Sequence, residues 1–531
     1  MSVFTTSCSV IYRSVAQIVV SDDSSTLADQ SFSESTYDGL KSFYENDVKL
    51  PNIPDANSPD IVEGNGIWKR PGKNDIERIN TYENIINDGS NIVIASGYNH
   101  QNALQLITNV NDNNYQNKFG NTGFIFVDGA MNTNYKISDT QTITCNPKNV
   151  ASISNRADNG SFLAGLATSV YLNQNWKSFV DDLSKVPEKI SVSSFVGLAI
   201  PTTVSLLNGF RLGIMYWNKI ANLITIDGNN SGIPIEFISP GNSFNINEFT
   251  SGSFLANEQK ATTISNSLIA KGVRAIFPIA GPQTKLVVNS ITASSKNVAV
   301  IGVDSAQENI SDLQSFMPHP NGAVQKVIPF SSIKDLKTSV HGVLSAIRSG
   351  ENKGLTDDEP GYSGFGYNNI ADLSNGGVGV SPAGLSYLID PLFFANIQPD
   401  LDNNASTITP TTNDNFQIYD LSTTTSKWSL SKLLETNEND KDKKNIISNY
   451  QKLLNNQIKI KYKNESNEID WTITGNELSS KSDSHCPIFV ADKENIINYD
   501  INKAFGGTKT KLIANGSLLS GKNWKYSFQI D

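Results

Sequence analysis

Apolar and polar positions follow one another along this chain in a βα rhythm. The apolar run Val15 to Val20 is short, rich in β-branched residues and closed by Ser21, Asp22 and Asp23, which predicts a buried parallel strand ending at its carboxyl edge. After the polar turn, Phe32, Thr36, Tyr37, Leu40 and Phe43 recur at spacings of three and four, the mark of a helix with one apolar face. "NIVIASGYNH" predicts a strand from Asn91 to Ala95 running into Gly97 and Tyr98, and "GFIFVDGAM" a strand ending at Asp128 and Gly129. "VASISNRADNGSFLAGLATSVYL" reads as a short strand and a helix in which Gly160, Ala164 and Gly165 permit close packing. "ISVSSFVGLAIPTTVSLLNGFRLGIMYW" repeats the plan with a strand to Gly197, a turn at Pro201 and a helix through Phe210. "VRAIFPIAGPQT" and "VAVIGVDSAQEN" add strands ending at Gly281 and Asp304. Strands and helices alternating in this way predict an α/β protein with two doubly wound parallel sheets.

The pattern changes after residue 395. A polar linker leads into "SLSKLLETNENDKDKKNIISNYQKLLNNQ", a helix interrupted by a charged turn, and then into "IKIKYKNESNEIDWTITG", which alternates as strands do. Residues 396–531 are therefore expected to form a small α+β C-terminal extension of unassigned role. Its Trp471 and Trp524 could serve a partner protein, or the extension could act as a spacer.

Composition narrows the chemistry. At 531 residues the chain can hold three ordinary domains, and a net charge of -10 leaves no basic field to neutralise nucleic-acid phosphates. Cys8, Cys145 and Cys486 make neither a disulfide framework nor a zinc-ligand spacing. His100, His319, His341 and His485 form no HExxH-type cluster, and the neighbours His485 and Cys486 would point to opposite faces of a strand. With no GxSxG, no phosphate-binding GxxxxGK[ST] loop and no metal-ligand group, neither an enzyme nor a bound cofactor or metal is expected. No stretch approaches the roughly 18 apolar residues of a membrane-spanning helix. "TTSC" does place small residues ahead of Cys8, as at the processing site of a bacterial lipoprotein, so a lipid on Cys8 is the expected means of any membrane attachment.

Ligands of open α/β sheets sit beyond the carboxyl ends of the strands, which places Asp23, Asp29, Phe32 and Ser33 well for binding. The same Asp and Ser residues serve equally as turn formers and helix caps. At this point the residues carry a resemblance. "DDSSTLADQSFSESTYDGL" is similar to the D-x-G-G-x-D-D-x-S-F-N motif of the basic membrane protein family, the purine-nucleoside-binding lipoproteins of bacterial ABC transporters. "NGSFLAGLAT", "LLNGFRLGI", "IFPIAGPQT", "IGVDSAQ" and "FSSIKDLKTSV" follow in the family's order, so that the resemblance covers residues 15 to 395.

The resemblance implies a type I periplasmic-binding-protein fold, with lobe one at 13–154 plus 322–395, lobe two at 155–321, and a nucleoside in the cleft for delivery to an ABC permease. Carried over residue by residue, Phe32 matches the aromatic that stacks on the base, Asp128 and Asp304 match acids lining the cleft, and Lys334 matches the lysine near the sugar. Asp23 and Asp29 match the motif's acids, while Tyr98 and Gly281, at further strand ends, complete the candidate set. Ser33 stands where the family has Asn, Ser24 to Thr26 replace the glycines, and Leu206 takes the place of the second stacking aromatic. These departures leave a second possibility, a surface or structural protein that keeps the fold but has changed or lost its ligand. A lipid-anchored place on the outer face of the cell membrane is the expected location.

The physical chemistry of a purine nucleoside suits this set. Its flat π-face calls for an aromatic, its ring donors and ribose hydroxyls for carboxylates and a mixed pair such as Asp304 with Lys334.

Overall fold

The computed structural model describes residues 16–454 apart from 51–52, 139, 181, 229, 319–323, 351–360, 392–415, 419–427 and 436–439, together with the backbone of 458–464, 467–471 and 510–511. Its contacts divide the chain into two units, one of residues 1–154, 336–370 and 508–531, the other of 155–335 and 371–507.

The sheet of the first unit runs in the order Trp68–Lys69, Ala16–Val19, Ile92–Ser96, Gly123–Val127, Val150–Asn155, Tyr367–Ala371 and Thr510–Lys511. The first five strands are parallel. Every residue of Ala16–Val19, Ile92–Ser96 and Gly123–Val127 is buried, as expected of strands covered on both faces, and this is why they appear in the sequence as unbroken apolar runs. Thr36, Tyr37, Leu40 and Phe43 form the buried face of helix Phe32–Phe43, while Phe32 itself, in the first turn, is half-buried. That helix packs on Leu336–Ser349. The two approach so closely at Gly39 that a Cβ there would lie 2.8 Å from the Val340 Cβ.

The main sheet of the second unit has the order Ile235–Phe237, Ile190–Val196, Ala275–Ile279, Ala299–Val300, all parallel. A three-stranded sheet joins Gly302–Asp304 in parallel to Ser331–Lys334, which pairs antiparallel with Val378–Val380. Helix Ala157–Gln174 is buried on all sides except at Gln174. It lies against helix Pro201–Ile220 with backbones in contact: a Cβ on Gly165 would come within 2.0 Å of the Phe210 carbonyl oxygen, and one on Gly213 within 2.0 Å of that of Phe162. Pro201 does not form a separate turn but opens the helix, where its missing N–H costs nothing and its φ is already helical.

Beyond residue 427 the expected helical segment appears as Leu430–Glu435 and Asp440–Leu454, and the alternating segment as the antiparallel pair Ile458–Asn464 with Asn467–Trp471. Leu430, Leu433, Ile446, Tyr450, Leu453 and Leu454 belong to the same hydrophobic core as Phe162, Tyr216 and Leu206. Trp428–Ser429 pairs in parallel with Ile224–Thr225.

Candidate ligand-binding residues

In the first unit the loop after Ala16–Val19 organises the start of helix Phe32–Phe43. Asp29 Oδ1 accepts from the N–H groups of Ser31 (3.0 Å) and Glu34 (3.1 Å), and Oδ2 accepts from that of Ser33 (2.9 Å). Burial pushes the Asp29 carboxyl up to about 6 against the pull of those bonds. The residue as a whole is only half-buried, so solvent moderates that push. Gln30, between Asp29 and the helix, has φ of 55°, and its N–H donates to Glu34 Oε2 at 3.0 Å.

Neighbouring strand ends converge on the same edge. The Thr36 hydroxyl meets the Ser96 hydroxyl at 3.0 Å, and Gly97 passes so close to Ser21 that a Cβ would sit 2.8 Å from its Oγ. The Gly97 N–H donates to Val127 O, and that of Asp128 to Ile153 O, which sets half-buried Tyr98 and buried Asp128 on adjoining strand ends. His100 braces the group from behind: its ring nitrogens lie 2.7 Å from the Tyr82 hydroxyl and 3.0 Å from Val20 O. Burial drives its pKa down to about 3, so it is neutral, donating to Val20 O and accepting from Tyr82. Asp23 stands apart, exposed, in a 4.0 Å ion pair with Lys73.

In the second unit Asp304 and Lys334 end two adjacent parallel strands, with Lys334 Nζ 3.9 Å from Asp304 Oδ1. Both side chains are largely buried, 4% and 12% exposed for the lysine and the aspartate, so their attraction is little screened. Gly281 is tied to this edge through Gln307, whose amide donates to Gly281 O (3.2 Å) and accepts from Val303 N (3.0 Å) and Thr284 Oγ1 (3.0 Å). The Gln307 N–H itself donates to Ser331 Oγ at 3.0 Å. The sequence offered only a weak signal for Gln307, a polar residue three places after a strand-end aspartate. Leu206 lies in the hydrophobic core, 4% exposed. Cys8 and Trp524, and the side chain of Trp471, fall outside the described residues.

Backbone conformation sets two of these residues apart. Five non-glycine residues among those described have positive φ: Gln30, Lys49, Asp128, Ser295 and Asp304. Lys49 and Ser295 terminate helices, where a left-handed residue is ordinary. Asp128 (φ 73°) and Asp304 (φ 64°) instead sit at carboxyl ends of strands, one in each unit. Such strain is a mark of sites where a side chain must be aimed.

Two α/β units with acids at strand ends are the frame of a solute-binding protein, and comparison with known proteins agrees. Residues 16–230 match the family model of ABC transporter substrate-binding proteins of the PnrA-like, or Bmp, type. The chain belongs to this basic membrane protein family and has its type I periplasmic-binding-protein fold. It is 39% identical over 550 residues to the uncharacterized lipoprotein MG040 of Mycoplasma genitalium, covering 92% of this chain and 90% of that protein. It is 36% identical over 570 residues to the MG040 homolog of Mycoplasma pneumoniae, covering 99% and 82%. Among solved structures, an ABC transporter solute-binding protein from Aeropyrum pernix superposes with a TM-score of 0.48 at 14% identity, covering 82% of this chain and 90% of that one. Among the described residues no helix is long and apolar enough to cross a membrane, and no group of three or more His, Cys, Asp or Glu side chains could hold a metal ion.

Proposed function

We propose that this solute-binding protein captures a nucleoside, a purine nucleoside in the first instance, and delivers it to an ABC permease. The observation that carries the reading is the pair of left-handed aspartates, Asp128 and Asp304, the latter beside Lys334. Glycine would occupy those conformations without strain, so a carboxylate kept there has work to do. Phe32 supplies the stacking face; Asp304 and Lys334 supply an acceptor and a donor for ribose hydroxyls. The two units, residues 1–154 with 336–370 and residues 155–335 with 371–507, are read as the two lobes, in place of the sequence-based division into 13–154 plus 322–395 and 155–321.

A lipid on Cys8 would hold the protein at the outer face of the membrane, in keeping with relatives that are named lipoproteins. A Cys8→Ser protein should then leave the membrane fraction. The alternative of an altered ligand draws support from Leu206, a buried aliphatic residue at the place where the family's second stacking aromatic was expected.

Calorimetric titration and thermal unfolding with a panel of ribo- and deoxyribonucleosides test the proposal. A micromolar binder at millimolar ligand should gain about 4 kcal/mol of stability. No rise in melting temperature with any nucleoside would refute nucleoside capture and favour a protein that keeps the fold for another purpose.

A further inference from the structure

Asp29 was expected to face the ligand, but its surroundings give it different work. A carboxylate offers about four acceptor sites. Here three backbone N–H groups bond to them, so the protein itself uses most of that acceptor capacity. The donors lie on both sides of Phe32: Ser31 precedes it, and Ser33 and Glu34 follow it. They are among the first N–H groups of helix Phe32–Phe43, which have no partner within the helix. The Ser31 side chain makes no capping bond, although it occupies the N-cap position, so the cap comes from two residues upstream.

The backbone explains how this is possible. Gln30 at φ 55° turns the chain sharply, and Ser31, with φ of -153° and ψ of -116°, lies outside the extended and helical regions. This turn folds Asp29 back over the helix start, and the Gln30 N–H is held in turn by Glu34. The result is a closed ring of hydrogen bonds around the peptide units on either side of Phe32.

We propose that Asp29 is a positioning residue: it grips the backbone around Phe32 and fixes the angle at which that ring meets a flat ligand, without touching the ligand itself. This rests on the nucleoside-binding reading above. Phe32 lies in the first turn of the helix and is half-buried, so the direction of its ring is set through the helix start that carries it.

The test is a double-mutant cycle on the full chain, with nucleoside affinity measured by calorimetry for wild type, Asp29→Ala, Phe32→Ala and the double variant. Asp29→Ala should weaken binding about tenfold in the presence of Phe32, and by no more than about twofold once Phe32 is already Ala, because coupled residues are non-additive. Asp29→Asn keeps one acceptor oxygen and should recover part of the loss. The Asp29→Ala loss should also be the same for nucleosides lacking the exocyclic amino group or the 2′-hydroxyl. Amide exchange over residues 31–34 should speed up in Asp29→Ala while the rest of the protein stays protected. Additive losses, or a loss that vanishes with one particular ligand group, would make Asp29 a direct contact and overturn the proposal. A wild-type protein that binds no nucleoside would instead defeat the reading on which it rests, and the proposal with it.

Discussion

Replacing Tyr450 asks whether the helices after residue 427 are an integral part of the second unit. Tyr450 has no exposed surface and sits between Phe162 and Tyr216, with ring centroids 6.0 and 6.4 Å away. Its hydroxyl donates to the Ile389 carbonyl oxygen. Tyr450→Ala removes a whole buried ring from the middle of the core and leaves that carbonyl without this donor. Losses of this type cost ~3–5 kcal/mol. Tyr450→Phe keeps the ring and loses only the hydrogen bond, for ~1–3 kcal/mol. At about 2 °C per kcal/mol for a unit of this size, the alanine variant should melt about 6–10 °C lower and the phenylalanine variant about 2–6 °C lower.

Differential scanning calorimetry, with hydrogen exchange over residues 157–174 to locate the effect, would read both changes. Truncation after residue 427 should have a larger effect in the same direction, because Leu430, Leu433, Ile446, Leu453 and Leu454 leave the core together. An unchanged melting temperature for Tyr450→Ala, with helix 157–174 as protected as before, would show that the extension does not share this core.

Other expectations follow from the same geometry. His100, ordinarily near 6.5, is held to about 3, so its contribution to stability is complete above pH 6.5 and is lost as pH falls through 3; the loss should approach ~5 kcal/mol in urea titrations, and His100→Gln should flatten this dependence. Gly165→Ala should destabilise the second unit by at least ~3 kcal/mol, the upper range for overpacking, since the new Cβ meets a backbone carbonyl that has little freedom to move. Lys334→Met should weaken nucleoside binding about ten- to a hundredfold in calorimetry, with a smaller loss for a deoxynucleoside if the lost bond was to the sugar hydroxyl. Asp304→Gly relieves the backbone strain but removes the carboxylate beside the buried Lys334, so calorimetry should show both melting temperature and affinity falling; the Asp304→Gly, Lys334→Met double variant should regain the melting temperature without the affinity, and a double variant that also regains affinity would make the pair structural.

Strands were legible in the sequence where they are buried on both faces. The expected strand from Asn91 to Ala95 appears as Ile92–Ser96, and the one ending at Asp128 as Gly123–Val127, because a strand sealed on both sides must be apolar throughout. The pairing of Asp304 with Lys334 was legible only through the family resemblance, which matched both residues to the ligand site, since Lys334 follows Ser331, Ser332 and Ile333 rather than an unbroken apolar run. Asp29 was harder, since a carboxylate before a helix reads the same whether it faces a ligand or the chain's own N–H groups. Gln307 was hidden because its importance comes from Gly281, Thr284 and Ser331, all at least 23 residues away. The packing of Tyr450 on Phe162 was out of reach for the same reason, as helical spacing shows that a face is apolar but not what covers it.

In the proposed function the left-handed aspartates connect fold to ligand capture through a balance of small energies. A non-glycine residue in this conformation costs on the order of 1–2 kcal/mol, less for Asp, whose short side chain can bond locally. In the same chain glycine has positive φ at Gly228 (89°) and Gly376 (73°), where an added Cβ would meet nothing within 4 Å, so the sequence can use glycine where only the turn matters. At 128 and 304 it carries a carboxylate instead, and at 304 it places that carboxylate beside a lysine that is almost wholly removed from water. Withdrawing an ammonium from solvent is unfavourable unless a partner charge accompanies it. The strain at Asp304 and the desolvation of Lys334 therefore belong to one arrangement, which the proposed function takes as a donor and an acceptor set in place at a strand end before any solute arrives. In the proposed nucleoside site this arrangement would spend less on ordering its groups when the ligand binds, as capture of a dilute solute requires.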